Sequence, residues 1–180
     1  LHCDRILLAT ARRNSLARMV ESSLTNKIIE QTTLPVEVIA ADVRECPLDR
    51  RVPGVAYLSE DIRSPGLAAH LRGCDVVVHL ASIVTPGPAS TREFEYSVDV
   101  LGTRNVLEAC LAAGVKKVVV SSSGAAYGYH ADNPAWITED QPVRGNDEFP
   151  YARHKRLVEE MLARYRSEHP ELQQVVLRIG

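Results

Sequence analysis

At 180 residues the chain has the length of one ordinary domain with a sizeable core. With 45% hydrophobic and 24% charged residues and a formal net charge of -2, it is neither a disordered chain nor one with a basic excess for nucleic acid. Four widely separated cysteines, Cys3, Cys46, Cys74 and Cys110, form no C-x-x-C, which predicts thiols in a reducing compartment and neither a disulfide framework nor a metal site.

The first apolar run, RILLA from Arg5 to Ala9, is too short to span a membrane and lacks the apolar region and cleavage site of a signal peptide, so a cytoplasmic, non-membrane protein is expected. It reads as a strand. Further strands are expected at VEVIAAD (36–42), VAYLSED (55–61), CDVVVHLAS (74–82), KKVVVSSS (116–123) and LQQVVLRIG (172–180). Most are β-branched and almost continuously apolar, the pattern of strands covered on both faces.

Between these runs the spacing predicts helices over Asn14 to Leu24, Pro65 to Leu71, Arg92 to Ala113 and Tyr151 to Glu168. In the third, Val98, Leu101, Val106 and Cys110 can share one apolar side, and Gly114 is placed to stop it. Alternating strands and helices predict right-handed parallel crossovers, hence an α/β domain with a doubly wound parallel sheet of Rossmann type. Ligands of such sheets bind beyond the carboxyl ends of the strands. The longest irregular stretch, Gly128 to Pro150, is of a length that more often serves function than mere connection.

Three places carry chemistry. Asp42 closes the second strand, where an acid accepts hydrogen bonds from ribose hydroxyls and repels a 2'-phosphate, favouring NAD over NADP. Arg44 nearby could reverse that preference, and a solvated acid ending a strand is the plainer alternative. The fifth strand runs into SSSGAAYG, Ser121 to Gly128, delivering small polar residues to the ligand edge, although serine and glycine also simply make turns. After the long loop, FPYARHK sets Tyr151 and Lys155 four apart on one helical face.

VVVHLAS (76–82), VDVLGTRNVLEAC (98–110), VVVSSSGAAYG (118–128), YARHK (151–155) and the closing VVLRIG, in this order, resemble the extended short-chain dehydrogenase/reductases, the NAD-dependent epimerase/dehydratase group. The resemblance implies Ser123 as catalytic serine, Tyr151 as acid/base and Lys155 as the cofactor-binding lysine. It further implies Asp42 as the ribose-binding acid, Asp61 and Ile62 as the pair beside the adenine, and Leu80, Ala81 and Ser82 as the stretch lining NAD. In that chemistry a base must take the hydroxyl proton as hydride leaves the carbon, and a lysine ammonium together with the positive nicotinamide ring is expected to lower the phenol's pKa from near ~10.

The sequence also departs from the family. Its glycine-rich phosphate turn, G-x-x-G-x-x-G, falls on Thr10, Arg13 and Leu16, where side chains threaten close approach to a pyrophosphate. Arg12 and Arg13 could meet phosphate by charge; the plainer reading of ARRNSLARMVE is an amphipathic helix capped by Asn14 or Ser15. Asp99 stands where the family usually has asparagine, and the family's substrate region continues past the final LRIG.

The expected protein is thus one cofactor domain over residues 1–180, without the substrate region. Its expected function is that of an NAD-dependent epimerase/dehydratase-like oxidoreductase acting on a small nucleotide-sugar-type molecule. A 3β-hydroxysteroid-dehydrogenase-like enzyme and a non-catalytic relic that keeps the sheet are the alternatives. Dimerisation through the third and fourth helices is common in the family. The six histidines show no H-E-x-x-H, no metal is expected, and His79 reads as a core or cofactor-lining residue.

Overall fold

The computed structural model describes residues 5–9 and 37–180. The predicted helix at Asn14 to Leu24, and the positions Thr10, Arg13 and Leu16, lie outside them. The strands are β1 (Arg5–Ala9), β2 (Glu37–Asp42), β3 (Val55–Ser59), β4 (Val76–His79), β5 (Lys117–Ser123) and β6 (Gln173–Ile179). All pair in parallel, in the order β3-β2-β1-β4-β5-β6. This is the doubly wound Rossmann order, in which the sheet grows first to one side of β1 and then to the other; the crevice at that reversal is where such sheets take ligands.

The helices are α1 (Leu67–His70), α2 (Arg92–Tyr96), α3 (Thr103–Ala113) and α4 (Pro150–Glu168). One apolar cluster joins β4 and β5 to them, with Leu71, Val77, Leu107, Val118 and Leu162 at its centre. Val77, Val118 and Val120 alternate along their strands to face it, as the two-residue strand period requires. Among the described residues no helix is long and apolar enough to cross a membrane.

Several boundaries differ from the sequence expectation, each for a physical reason. β4 ends at His79, so Leu80 to Ser82 leave the sheet as loop. α4 starts one residue early because Pro150, whose fixed φ suits a first helical position, opens it. The single helix expected over Arg92 to Ala113 is broken by a turn of π-helix at Ser97–Gly102. A β-carbon on Gly102 would stand 2.6 Å from Ile62 Cδ1, so the absence of a side chain lets the β3 loop pack against that turn. Of the expected apolar side, Leu101 turns outward, to 37% exposed, while Val98, Val106 and Cys110 pack in or against the apolar cluster.

Candidate functional site

β5 ends at Ser123, whose hydroxyl accepts a hydrogen bond from the Ala125 amide at 3.1 Å and so starts the short turn Gly124–Tyr127 at the carboxyl edge of the sheet. The next residue with special geometry is Gly128, at φ +77, where a β-carbon would meet the Arg144 carbonyl and stand 2.5 Å from His130 Nε2. The loop from Gly128 to Pro150 is braced throughout. Asn133 Nδ2 donates to the Gly128 carbonyl at 2.7 Å, Asn146 Oδ1 accepts from the Tyr129 amide at 2.7 Å, and Arg144 pairs with Asp132 at 2.9 Å. Gly145 packs so closely on the Ala152 carbonyl that any side chain there would collide with α4.

That bracing delivers the first turns of α4 to the end of β5. Tyr151 lies near enough to Ser123 for that hydroxyl to pull its pKa down, and the Lys155 ammonium stands 5.4 Å from the Tyr151 ring centre. Lys155 Nζ donates to the Ser121 carbonyl at 3.0 Å and is 7% exposed. Ser123, Tyr151 and Lys155 thus lie together where β5 ends and α4 begins.

Burial raises the Tyr151 phenol above its ordinary value of 10.0; the Ser123 hydroxyl pulls it down, and the charges of Asp99 and Tyr129 push it up again. Lys155 does not set the balance, because its own burial lowers its pKa, against the opposing pull of Asp99 and Glu159, and its ammonium turns to a carbonyl. In the protein alone the phenol is the proton-bearing form.

The other expected contacts are spread along the same edge. Asp42 ends β2 and its Oδ1 accepts the Arg44 amide at 2.9 Å. Asp61 is gripped by Arg63, whose Nη2 donates to Oδ2 at 2.6 Å, and this contact lowers the Asp61 pKa; Arg63 also reaches Ser97 Oγ at 3.0 Å. Ile62 is 8% exposed and sits in the core against Gly102, so its side chain belongs to the packing of the π turn. Leu80 and Ala81 are half-buried, and Ser82 is 6% exposed with a hydroxyl that has no partner among the described residues. A buried orphan hydroxyl at the carboxyl end of β4, beside the switch point, fits a site that takes a polar ligand.

Four further residues organise this edge without having been singled out for it. Asn105 Nδ2 donates to the carbonyls of Ile62 at 2.6 Å and Ser64 at 2.9 Å, clamping the β3 loop to α3. Glu159 accepts Ser122 Oγ at 2.5 Å and Arg178 Nη2 at 2.7 Å, and Arg178 Nη1 donates to the Tyr127 hydroxyl at 2.6 Å. His154 pairs with Asp99 at 3.0 Å. The sequence held only indirect signs of these, since each partner is distant along the chain.

His79 is buried. Thr103 Oγ1 has a single proton, which goes to the Asp99 carbonyl at 2.6 Å, so His79 Nε2 is the donor in its 2.9 Å contact with Thr103. Nδ1 is then a bare acceptor without a partner among the described residues, and burial, helped by the Lys155 charge and opposed by Asp99, pushes the imidazole down to about 4. Among the described residues no group of three His, Cys, Asp or Glu could hold a metal.

Residues 17–180 match the family described as NAD dependent epimerase/dehydratase. The chain is 36% identical over 128 residues to UDP-glucose 4-epimerase 2 of Oryza sativa subsp. japonica, covering 69% of this chain and 30% of that protein. It is 27% identical over 163 residues to 3 beta-hydroxysteroid dehydrogenase type 7 of Rattus norvegicus, covering 89% and 44%. The chain thus spans less than half the length of either relative. The solved structure of MoeE5 in complex with UDP-glucuronic acid and NAD superimposes with a TM-score of 0.77 at 25% identity, over 97% of this chain and 54% of that one. With the strand order, the serine-bearing end of β5 and the tyrosine and lysine of α4 in place, the chain belongs to the NAD-dependent epimerase/dehydratase family.

Proposed function

We propose that the described residues form the cofactor-binding and proton-transfer part of an NAD-dependent enzyme that oxidises a hydroxyl group of a nucleotide-sugar-type substrate. The observation that carries this reading is the meeting of Ser123, Tyr151 and Lys155 at the carboxyl edge between β5 and α4. Ser123 orients the substrate hydroxyl. Tyr151 takes its proton as the carbonyl forms and returns it in the reverse direction, a role worth about 100-fold or more in rate. Lys155 supports the phenolate by charge.

Asp42 would hold the adenosine ribose, with Leu80, Ala81, Ser82, Tyr151 and Lys155 along the rest of the cofactor; Asp61 is the adenine-side acid only if it shares its carboxylate with Arg63. NAD, when bound, supplies the hydride acceptor. The negative charge of Asp42 favours NAD over NADP. The UDP-sugar epimerases and the nucleotide-sugar complex among the similar proteins support the substrate class.

A second reading, a hydroxysteroid-like alcohol, is favoured by the aromatic rings beside Tyr151. Tyr129 and Phe149 are 68% and 46% exposed, their ring centres are 5.7 Å apart, and Phe149 stands 6.4 Å from Tyr151. Such a wall suits an apolar ring face. Interconversion of UDP-glucose and UDP-galactose, and NAD reduction by a 3β-hydroxysteroid, are the assays that separate the two readings. Tyr151→Phe should lower the active one at least about 100-fold while NADH binding persists. Unchanged turnover refutes the assigned base, and absence of both turnover and binding leaves the non-catalytic alternative.

A further inference from the structure

Asp99 is a buried carboxylate, 4% exposed, inside the π turn. Both of its oxygens have partners. Oδ1 accepts the Ile83 amide at 2.7 Å, and Oδ2 lies 3.0 Å from His154 Nδ1. Ile83 follows Ser82 just beyond β4, and His154 lies on α4 between Tyr151 and Lys155. One side chain therefore ties the π turn, the end of β4 and the start of α4 together.

His154 is suited to this tie. It is 3% exposed, and its ring meets Tyr96 edge-on at 5.8 Å, which fixes the ring plane so that Nδ1 faces the carboxylate. An ionised carboxylate only accepts, so Nδ1 carries the proton. Three residues apart on a helix, Tyr151 and His154 share a side, so a rotation of α4 that broke the contact with Asp99 would also carry the phenol from Ser123 and the ammonium from Ser121.

We propose that Asp99, acting through His154, is the positioning carboxylate of this site: it sets the rotation of α4 that brings Tyr151 to Ser123 and Lys155 to the Ser121 carbonyl. The inference rests on the reading of Tyr151 and Lys155 as the reacting pair. The carboxylate also acts by charge. The groups facing it are His154, Lys155 and Tyr151 from α4 and His79 from β4; the phenol is further faced by Ser123 and Tyr129. Among these, Asp99 favours the neutral phenol and the charged ammonium.

The test is the titration of the Tyr151 phenol by NMR of the chain carrying 13Cζ-labelled tyrosine, assigned by loss of the signal in Tyr151→Phe. Asp99→Asn keeps the shape and an acceptor for Ile83 but removes the charge. It should lower the phenol midpoint by roughly half a pH unit or more, about a threefold change in ionised fraction. His154→Asn keeps a donor at the Nδ1 position and should titrate like the native chain. His154→Phe keeps a ring beside Tyr96 without the donor and should move the midpoint by a similar amount.

Because the Asp99 charge bears on the phenol in either case, the His154 variants decide: if the pair merely stabilises the fold, His154→Phe lowers the melting temperature and leaves the midpoint where His154→Asn and the native chain have it, and that result overturns the proposal. The titration uses neither substrate nor cofactor. Full turnover by Tyr151→Phe would therefore overturn the proposed function while the titration still decides the role of Asp99.

Discussion

Lys155 donates to the Ser121 carbonyl at 3.0 Å and lies under the ring of Tyr151, so the same ammonium binds the fifth strand to the helix and charges the space beneath the phenol. Its burial is unfavourable to the charge and lowers the pKa. A neutral side chain of similar length relieves that burial but leaves a carbonyl unpaired, two effects of about 1–3 kcal/mol with opposite sign. Lys155→Met is therefore expected to keep its stability to within about 1 kcal/mol in urea unfolding while turnover falls at least about 100-fold. A loss of stability without loss of turnover would assign the lysine to the fold alone.

His79 predicts a pH dependence of stability. Its pKa falls from 6.5 to about 4 in the folded chain, so between those values the unfolded chain takes up a proton that the folded chain refuses. Stability from this group is then complete above the ordinary value, declines as pH falls through the window, and is lowest near pH 4, by about 3 kcal/mol at the limit. His79→Gln retains a donor for Thr103 and carries no titrating group. Urea unfolding at a series of pH values should show a flatter decline in this variant, and parallel curves would remove His79 as the cause.

Gly102→Ala is expected to destabilise the chain by about 1–3 kcal/mol. The added carbon would stand 2.6 Å from Ile62 Cδ1 and 2.9 Å from Cγ1, and Ile62 is buried with little room to turn. Pairing it with Ile62→Val should recover part of the loss in thermal unfolding. No recovery would mean that the π turn itself, and not this contact, requires glycine.

Arg178→Met removes the partner of Glu159, whose side chain is only 6% exposed. Stripping one member from such a pair leaves an uncompensated buried charge, expected to cost about 3–5 kcal/mol in urea unfolding. Glu159→Gln combined with Arg178→Met should restore much of it. If the double variant is no more stable than the single one, the pair holds something other than its own charge.

The sheet was legible because its strands carry their own signal: VVVH and KVVVSSS are apolar runs with no helical period, and their alternation with helices leaves few topologies. The meeting of Ser123 with Tyr151 and Lys155 was legible for the same reason, since strand ends on one edge collect whatever follows them. Other features depended on contacts far apart in sequence. The π turn needed Ile62 to press on Gly102, and the ion pair of Glu159 needed Arg178 on the next strand. The raised phenol of Tyr151 could not be foreseen from a lysine four residues away, because the outcome turns on how deeply both groups are buried. Asp99, standing where the family usually has asparagine, becomes intelligible once Ile83 and His154 are seen to meet it.

The proposed reaction requires a nicotinamide dinucleotide bound at the carboxyl edge of the sheet. Titrating the chain into NADH and following the cofactor's fluorescence tests this most directly. Saturable binding in the micromolar range is the predicted result, and a signal that stays flat to millimolar protein would contradict it.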